Sequence, residues 1–248
     1  MIVWFATGNT HKKKELAAIL AAEIPPGAAL ELKIPVEAGI AFDPDETGGT
    51  FLDNALIKAR SLYFLLKEKG LNGPVIADDS GICVDALGGR PGIYSARYSG
   101  PETIITNSWQ KETNEGNAVF SEYTQNSVTR TKGSMCLCEM KLKPKLADAE
   151  RNALLLGELG DNPQRSARFV CAMVLYLAQD NFFAAQETLE GRLVLSTEAA
   201  RGKGGFGYDP ILYIPELGRT VAELSAEEKN LHSHRGKAGR SIARILAG

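Results

Sequence analysis

The stretch VIADDSGICVDALGGRPGIYSARYSG, residues 75–100, joins an apolar run to two adjacent carboxylates and a series of glycines. Its first three residues, 75–77, predict a short buried strand, and Asp78 and Asp79 follow directly. A strand that only had to be buried would not stop on two acidic residues, whereas ligands in α/β sheets gather at strand ends. We therefore expect this stretch to carry an acidic pair to a cleft.

Strand, turn and helix follow one another on the N-terminal side of this stretch. Residues 2–6 form a short apolar run, and a polar turn leads from it into an amphipathic helix. In that turn Gly8 permits a positive φ and Asn9 can cap the helix. The segment FLDNALIKARSLYFLLKEKG, residues 51–70, predicts a second helix that stops at its glycine.

The C-terminal side predicts a hairpin and a last helix. Residues 167–177 predict a long strand, and the segment after it predicts a partner strand across a turn at residues 179–181. The tail predicts a helix with Ala238, Ile242 and Ile245 on one side. Strands of both kinds mixed with helices predict an α/β fold with a mixed sheet.

Residues 102–149 fit this scheme poorly. The first part is rich in Thr, Asn and Ser, while MCLCEMKLKPKL, residues 135–146, alternates apolar and polar residues as a strand does. We interpret the region as an insertion, a projecting hairpin, in a single domain of residues 1–248.

Composition limits the classes of function. The net charge of -2 gives no global attraction to nucleic acid or to an anionic membrane, so we expect neither as a partner. The sequence has no run of the ~18 apolar residues that a membrane span needs and no signal peptide at its start, so we expect a cytoplasmic protein. Its four cysteines include one C-x-C pair, Cys136 and Cys138, without the spacing of a zinc site.

The acidic pair suggests metal-assisted chemistry. Neighbouring residues of a strand point to opposite faces, so at most one of Asp78 and Asp79 faces the cleft if the strand continues. That carboxylate can hold Mg²⁺ or polarise a water while its neighbour supports the loop. Glu46 and Asp53 are further acidic candidates. The alternative is that all of these carboxylates are solvated surface groups.

A possible anion site lies in the turn TGNTHK, residues 7–12. Backbone N–H groups and the N-terminus of a helix attract anions, and Lys12 adds a full positive charge. The turn is not a P-loop, because the pattern G-x-x-x-x-G-K-[ST] is absent. The alternative is an ordinary turn between a strand and a helix with a solvated lysine.

The stretch GGFGYDP, residues 204–210, combines glycines with two aromatic residues. Phe206 and Tyr208 offer flat faces on which a nucleobase can stack, or they can simply pack in the core. A cationic cluster follows later in the chain and consists of Lys229, His232, His234 and Arg235. Taken alone, it is typical of a solvated helix start capped by Ser233.

Together these motifs resemble the Ham1 family of inosine triphosphate pyrophosphatases, in the family's order and over nearly the whole chain outside the insertion. The matching segments are TGNTHKKKE from Thr7, ETGGTFLDNALIKA from Glu46, ADDSGICVDALGGRPGIYSARYSG from Ala77, ARFVCAMV from Ala167, GGFGYDPIL from Gly204 and AELSAEEKNLHSHRGKA from Ala222.

The resemblance implies a mixed curved sheet flanked by helices, with two lobes and a central cleft, in a homodimer. It also implies an enzyme that uses Mg²⁺ to hydrolyse ITP, dITP and XTP between the α- and β-phosphates. The products are then the nucleoside monophosphate and pyrophosphate.

The resemblance further implies roles for single residues. Asp79 is the catalytic carboxylate and a Mg²⁺ ligand, with Glu46 and Asp78 as further metal candidates from their chemistry. The implied phosphate-binding residues are Thr7, Gly8, Asn9, Thr10, His11 and Lys12. The other implied substrate contacts are Ser80, Phe206, Gly207, Tyr208, Asp209, Lys229, His234 and Arg235. Which of Asp78 and Asp79 acts as the base stays open.

Two departures from the family pattern are visible. Asp53 stands where the pattern F-x-E-N-A has glutamate, and residues 102–149 lie outside the pattern. Two other functions also stay open: a phosphatase for another phosphorylated metabolite, and a regulatory module that binds nucleotide without turnover. The acidic pair disfavours the second, because carboxylates repel phosphate unless a cation lies between them.

Overall fold

The structure, a computed structural model, describes residues 1–25, 30–101, 110–114, 117–124, 127–130 and 146–247. Its helices are α1 (Thr10–Glu23), α2 (Phe51–Glu68), α3 (Asp148–Leu159), α4 (Ala226–His232) and α5 (His234–Ala247). Its strands are β1 (Ile2–Phe5), β2 (Glu31–Lys33), β3 (Val75–Val84), β4 (Gln110–Asn114), β5 (Asn117–Thr124), β6 (Ser127–Arg130), β7 (Ser166–Ala178), β8 (Asn181–Leu193), β9 (Leu212–Ile214) and β10 (Arg219–Thr220).

One mixed sheet organises the fold, with seven strands in the order β10-β9-β8-β7-β3-β1-β2. Strand β1 is parallel to both β2 and β3, and the remaining pairs are antiparallel. The predicted α/β fold with a mixed sheet flanked by helices is confirmed. The predicted hairpin of β7 and β8 is also confirmed, and its turn holds Asp180 at a φ of 58°.

Strand β3 is much longer than predicted. The expectation that the strand ends at Ala77 is wrong, because β3 pairs with β7 at every position from Val75 to Val84. Asp78 and Asp79 therefore lie in the middle of a central strand. The pairing of β1 with β3 ends at Ile76, so beyond this point β1 no longer covers that edge of β3.

The glycine after the carboxylates serves close packing. Gly81 continues β3. A Cβ at this position would lie 2.3 Å from Ser95 Oγ and 2.4 Å from Gly92 O. The glycine therefore allows the 3-10 helix Gly92–Arg97 to pack closely against β3.

The core has three parts, and β3 and β7 contribute to all of them. Alternate residues of the two strands pack against α1 and α5 on one face of the sheet and against α2 on the other. Towards the end of β3 and the start of β7, a third cluster packs against α3. The last helix is confirmed, but Ile245 is 39% exposed and does not belong to its buried face with Ala238 and Ile242.

Residues 102–149 do not form one hairpin. Strands β4, β5 and β6 make a separate three-stranded antiparallel sheet, which is two hairpins in succession. The strand expected at residues 135–146 lies outside the described residues, apart from Leu146. The expected end of the insertion at Ala149 falls inside α3. Within the described ranges, no helix combines the length and apolar character needed to cross a bilayer.

Candidate active site

A cavity of about 380 Å³ opens along the edge of β3 that β1 leaves uncovered. It brings together most of the residues that the sequence singled out. Those in its lining are Asn9, His11, Lys12, Glu46, Asp79, Ser80, Phe206, Gly207, Tyr208, Asp209, Lys229, His234 and Arg235. Four of the predicted site residues are not in the lining, namely Thr7, Gly8, Thr10 and Asp78.

Asp79 points from β3 towards α2. Its Oδ1 accepts a hydrogen bond from Lys58 Nζ at 3.2 Å, and its Oδ2 accepts one from Asn54 Nδ2 at 3.2 Å. The residue is only 7% exposed. Burial raises the pKa of the Asp79 carboxyl above its usual range, although the Lys58 ammonium opposes this shift. The Asp79 carboxylate is thus held in place, but its negative charge is not fully compensated.

Lys58 links Asp79 to the loop before α2. Its ammonium donates to Glu46 Oε1 at 2.8 Å as well as to Asp79, so two carboxylates share one cation. The sequence analysis did not single out Lys58 or Asn54. The available signal was their spacing of four residues beside the buried Ala55 and Ala59, which places both polar side chains on or next to the apolar face of α2.

Asn54 is fully buried and ties the same loop to the same carboxylate. Its Oδ1 accepts from the backbone N–H of Gly48 at 2.8 Å while its Nδ2 donates to Asp79. Asp53 does not take part, because it is exposed and its carboxylate accepts from Thr50 Oγ1 at 2.8 Å. Its shorter side chain therefore supports the start of α2 and lies outside the cavity lining.

Asp78 lies on the opposite face of β3 and is 1% exposed. Lys12 Nζ donates to it at 2.9 Å, and Arg235 Nη2 donates to it at 3.2 Å. Burial alone would raise the pKa of the Asp78 carboxyl, but these two cations hold it well below its usual range. The structure therefore separates Asp78 from the group formed by Asp79, Lys58 and Glu46.

The C-terminal cations are buried, so the alternative of a solvated helix start is wrong. Arg235 is 3% exposed, and its Nη1 donates to Glu15 Oε2 at 2.6 Å. Lys229 Nζ lies 2.9 Å from Glu15 Oε1 and 2.8 Å from Asp209 Oδ2. Glu15 was part of the first motif but was not predicted as a site residue. Glu15 pairs with both Lys229 and Arg235, and Arg235 also pairs with Asp78, so these side chains form one ionic network.

The turn after β1 is capped as predicted, but its amides are used internally. Asn9 Oδ1 accepts from the N–H groups of His11 at 2.9 Å and Lys12 at 3.2 Å, and Thr7 Oγ1 accepts from the N–H of Asn9 at 3.1 Å. Gly8 does not adopt a positive φ. A Cβ there would meet no atom within 4 Å, so the space beside the turn is open.

The loop at residues 204–210 divides its two aromatic residues between cavity and core. Phe206 is half-buried, with Lys229 Nζ 4.6 Å and Arg235 Cζ 5.6 Å from its ring centroid. Tyr208 is buried, and its hydroxyl donates to Ser95 O at 2.9 Å. Phe206 is thus the aromatic surface beside the cations, while Tyr208 mainly packs.

His234 closes the same end of the cavity. Its ring stacks on Phe169 with centroids 4.9 Å apart, and its buried Nδ1 has no hydrogen-bond partner among the residues that the structure describes. Burial, assisted by the charges of Arg235 and Lys229, lowers the pKa of His234 well below its usual range. The imidazole is therefore neutral at neutral pH and presents an uncharged hydrogen-bonding edge.

The carboxylates of this site suit a hard metal cation that also keeps water molecules and phosphate oxygens as ligands. In the part of the chain that the structure describes, no group of three or more His, Cys, Asp or Glu side chains is placed to enclose a metal. Asp79 and Glu46, however, flank one ammonium group. Mg²⁺ typically binds through one or two carboxylates together with waters and phosphate oxygens. These two residues fit that pattern.

Comparisons with known proteins agree with this arrangement. The model of the Ham1 family matches residues 3–142 and 136–245. The dITP/XTP pyrophosphatase of Treponema denticola is 40% identical over 248 residues, covering 100% of both chains. That of Geobacillus kaustophilus is 38% identical over 235 residues, covering 94% of this chain and 88% of its own. The family match and the first alignment both extend into residues 102–149.

A solved structure gives the same result for the fold. A HAM1 protein from Coxiella burnetii superposes with a TM-score of 0.70 at 31% identity, covering 99% of this chain and 98% of its own. Its likeness includes the mixed sheet with flanking helices on which the cavity is built. From its motifs, its fold and these full-length matches, the chain belongs to the Ham1 family.

Proposed function

We propose that this chain is a Mg²⁺-dependent pyrophosphatase that hydrolyses dITP, XTP and ITP to the monophosphate and pyrophosphate, and so removes deaminated purines from the nucleotide pool. Relatives 38–40% identical are named dITP/XTP pyrophosphatases. The observation that carries the proposal is one cavity with a buried, incompletely compensated Asp79 and the ring of Phe206 in its lining. A triphosphate with a purine needs both features.

Asp79 and Glu46 are the residues that would hold Mg²⁺. When bound, the cation supplies positive charge to the phosphate oxygens at the bond that breaks. Lys58, which donates to both carboxylates, keeps them at a common position before substrate arrives. Asp78 is not proposed as a ligand, because Lys12 and Arg235 already compensate its charge.

Asp79 is also the proposed base. Its carboxylate accepts a hydrogen bond from the attacking water and directs that water towards the phosphorus, opposite the leaving pyrophosphate. Asn54 and Lys58 fix the two carboxylate oxygens and thereby fix the direction of attack. Lys12, held by Asp78 at the same edge of β3, adds positive charge for the phosphates.

The other end of the cavity is suited to a purine. The ring of Phe206 offers a stacking face, and Arg235, Lys229 and His234 offer hydrogen-bonding groups around it. Hypoxanthine and xanthine carry an acceptor oxygen at position 6, where adenine carries a donor amine. A donor that meets this oxygen in hypoxanthine or xanthine meets another donor in adenine, which disfavours ATP by up to about 10⁴-fold.

Three further parts of the proposal rest on the family resemblance and on the composition of the chain. We infer that residues 1–248 form a single domain, that the chain forms a homodimer, and that it works in the cytoplasm without a nucleic-acid or membrane partner. Sedimentation equilibrium of the purified protein tests the oligomeric state, and a monomer at micromolar concentration would contradict it.

Product analysis tests the proposed reaction. The purified chain is incubated with ITP, dITP, XTP, GTP or ATP, with and without Mg²⁺, and the products are followed by phosphorus NMR. We expect inosine monophosphate and intact pyrophosphate from ITP, only with Mg²⁺. Inosine diphosphate and orthophosphate would indicate a phosphatase instead, and binding of ITP without turnover would indicate a regulatory module.

A further inference from the structure

Helix α3 holds the two peptide groups on either side of Gly207, in the loop beside the cavity. Asp148 Oδ2 accepts from the N–H of Gly207 at 2.6 Å, and Asn152 Nδ2 donates to Gly207 O at 3.1 Å. The two side chains are one helical turn apart, so both reach the backbone of Gly207. No residue of α3 was predicted to serve the site.

The loop needs such anchors because its own backbone is permissive. Gly205 and Gly207, on either side of Phe206, have φ values of 75° and 65°. Glycine loses more conformational freedom than any other residue when it is ordered. The N–H of Phe206 donates to Asp209 Oδ2 at 2.9 Å, which fixes one side of the aromatic residue. The contacts from α3 fix the other side.

Packing gives the loop little support from behind. A second cavity of about 320 Å³ lies against the loop, and Phe206, Gly207 and Asp148 line both it and the active-site cavity. Phe206 and Gly207 thus form a thin wall between two spaces. A wall without side chains packed behind it depends on polar contacts to keep its position.

The contact made by Asn152 is not explained by stability alone. The residue is 7% exposed, and its Oδ1 has no hydrogen-bond partner within the described part of the chain. A buried acceptor without a partner costs free energy. An apolar residue would avoid that cost but would lose the donor that Gly207 O uses. The chain therefore carries a costly side chain at a position that reaches the loop carbonyl.

We propose that Asp148 and Asn152 are positioning residues that hold Phe206 where a purine stacks, so that α3 sets the affinity for the nucleobase and takes no part in the chemistry. The proposal rests on the proposed function. Asp148 is itself held in place by an ion pair with Arg151, whose Nη1 donates to Leu146 O at 2.7 Å.

Steady-state kinetics with dITP tests the proposal. We expect Asn152→Leu and Asp148→Ala each to raise KM about tenfold, since each removes a hydrogen bond that orders the loop, while kcat stays within about twofold. The inhibition constant of pyrophosphate, which occupies the phosphate end only, should not change. Asp148→Asn keeps an acceptor for Gly207 N–H and should restore most of the affinity.

The matched control is Ala153→Gln, a change on the exposed face of α3 that should leave KM unaltered. A double-mutant cycle with Phe206→Ala separates positioning from general damage. In that background Asp148→Ala should raise KM no further, because the ring that it positions is absent.

Three results would overturn the proposal: unchanged KM in both single variants, a parallel loss of pyrophosphate binding, or a full additional effect of Asp148→Ala in the Phe206→Ala background. If Asn152→Leu does not fold, the comparison of Asp148→Ala with Asp148→Asn decides, because Asp148 has a side chain 49% exposed. Failure of the proposed function is a separate outcome, since it appears as wild-type protein that releases no pyrophosphate from dITP.

Discussion

Asp78 and Asp79 are adjacent residues of the same type in the same strand, yet their surroundings differ in every respect that matters. Asp78 accepts from two cations on the face of β3 that packs against α1 and α5, and its pKa is lowered. Asp79 shares one lysine with Glu46 on the other face, and its pKa is raised. The alternation of a β-strand therefore separates two roles within two residues.

This contrast shows how a buried carboxylate is kept available for chemistry. Full compensation, as at Asp78, stabilises the folded chain and leaves no charge to act on a ligand. Partial compensation, as at Asp79, costs stability and leaves a charge that a metal or a water can use. Four experiments test this contrast and the packing around the two residues.

The largest effect is expected from Asp79→Asn. Loss of the base and of a metal ligand should lower kcat for dITP by about 10³-fold. The free energy of unfolding should change by less than about 1 kcal/mol, because Lys58 keeps Glu46 as its partner. Enzyme kinetics and urea denaturation measure the two quantities on the same protein. A variant that unfolds early but turns over normally would reverse the roles assigned to the pair.

Asp78→Asn should mainly lower the stability of the fold, the opposite of what is expected for Asp79→Asn. Removing the buried carboxylate leaves Lys12 without its ion-pair partner and Arg235 with Glu15 alone, which lowers the free energy of unfolding by about 3 to 5 kcal/mol. Urea denaturation is the measurement. The control is Asp85→Asn, which breaks an exposed ion pair with Arg168 and should cost about 1 kcal/mol or less. Equal effects of the two variants would show that burial of Asp78 carries no special stabilisation.

Gly81→Ala tests whether β3 must lie as close to its neighbour as the structure has it. The new methyl group would lie within 2.4 Å of Gly92 O, so we expect a loss of about 1 to 3 kcal/mol in stability. Gly157→Ala is the control, since a Cβ there meets no atom within 4 Å and alanine should stabilise α3 by about 0.5 to 1 kcal/mol. Thermal unfolding compares both, and equal melting temperatures would contradict the close approach.

The smallest effect is expected from Asn54→Leu, which removes one hydrogen bond to Asp79 and the acceptor of Gly48 N–H but leaves Lys58 in place. We expect kcat to fall about tenfold, the value of one hydrogen bond to a charged group. Asn72→Leu, at an exposed asparagine, is the control and should leave kcat unchanged. An unaltered kcat in Asn54→Leu would assign the positioning of Asp79 to Lys58 alone.

Local pattern predicted much of the fold but not the length of its central strand. Helices α1, α2 and α5, the β7–β8 hairpin and the α/β class follow from periodicity and turn residues, which act over a few positions. Helices α3 and α4 were not predicted. Strand β3 was predicted too short because two carboxylates resemble a strand end. They remain inside the sheet since Lys12, Lys58 and Arg235, all distant in sequence, compensate them.

Prediction of the site was also limited to what local sequence patterns show. Motif order identified most of the residues that line the cavity, because Phe206, Arg235 and Asp79 belong to distinctive segments. Lys58 was missed because a lysine in a helix usually lies at the surface. Its partners are 12 and 21 residues away in sequence, and only the packing of α2 on β3 brings the three groups together. The roles assigned to these residues stay predictions.

The unbroken pairing of β3 with β7 bears on how a nucleotide enters. Asp79, Ser80, Gly81 and Phe169 of this ten-residue ladder line the cavity, so its floor is one continuous piece of sheet. Widening the cavity at its floor would require bending the ladder against its own hydrogen bonds. Access therefore depends on side chains and short loops at the rim, and the amide protons of the floor should exchange with solvent among the slowest in the molecule.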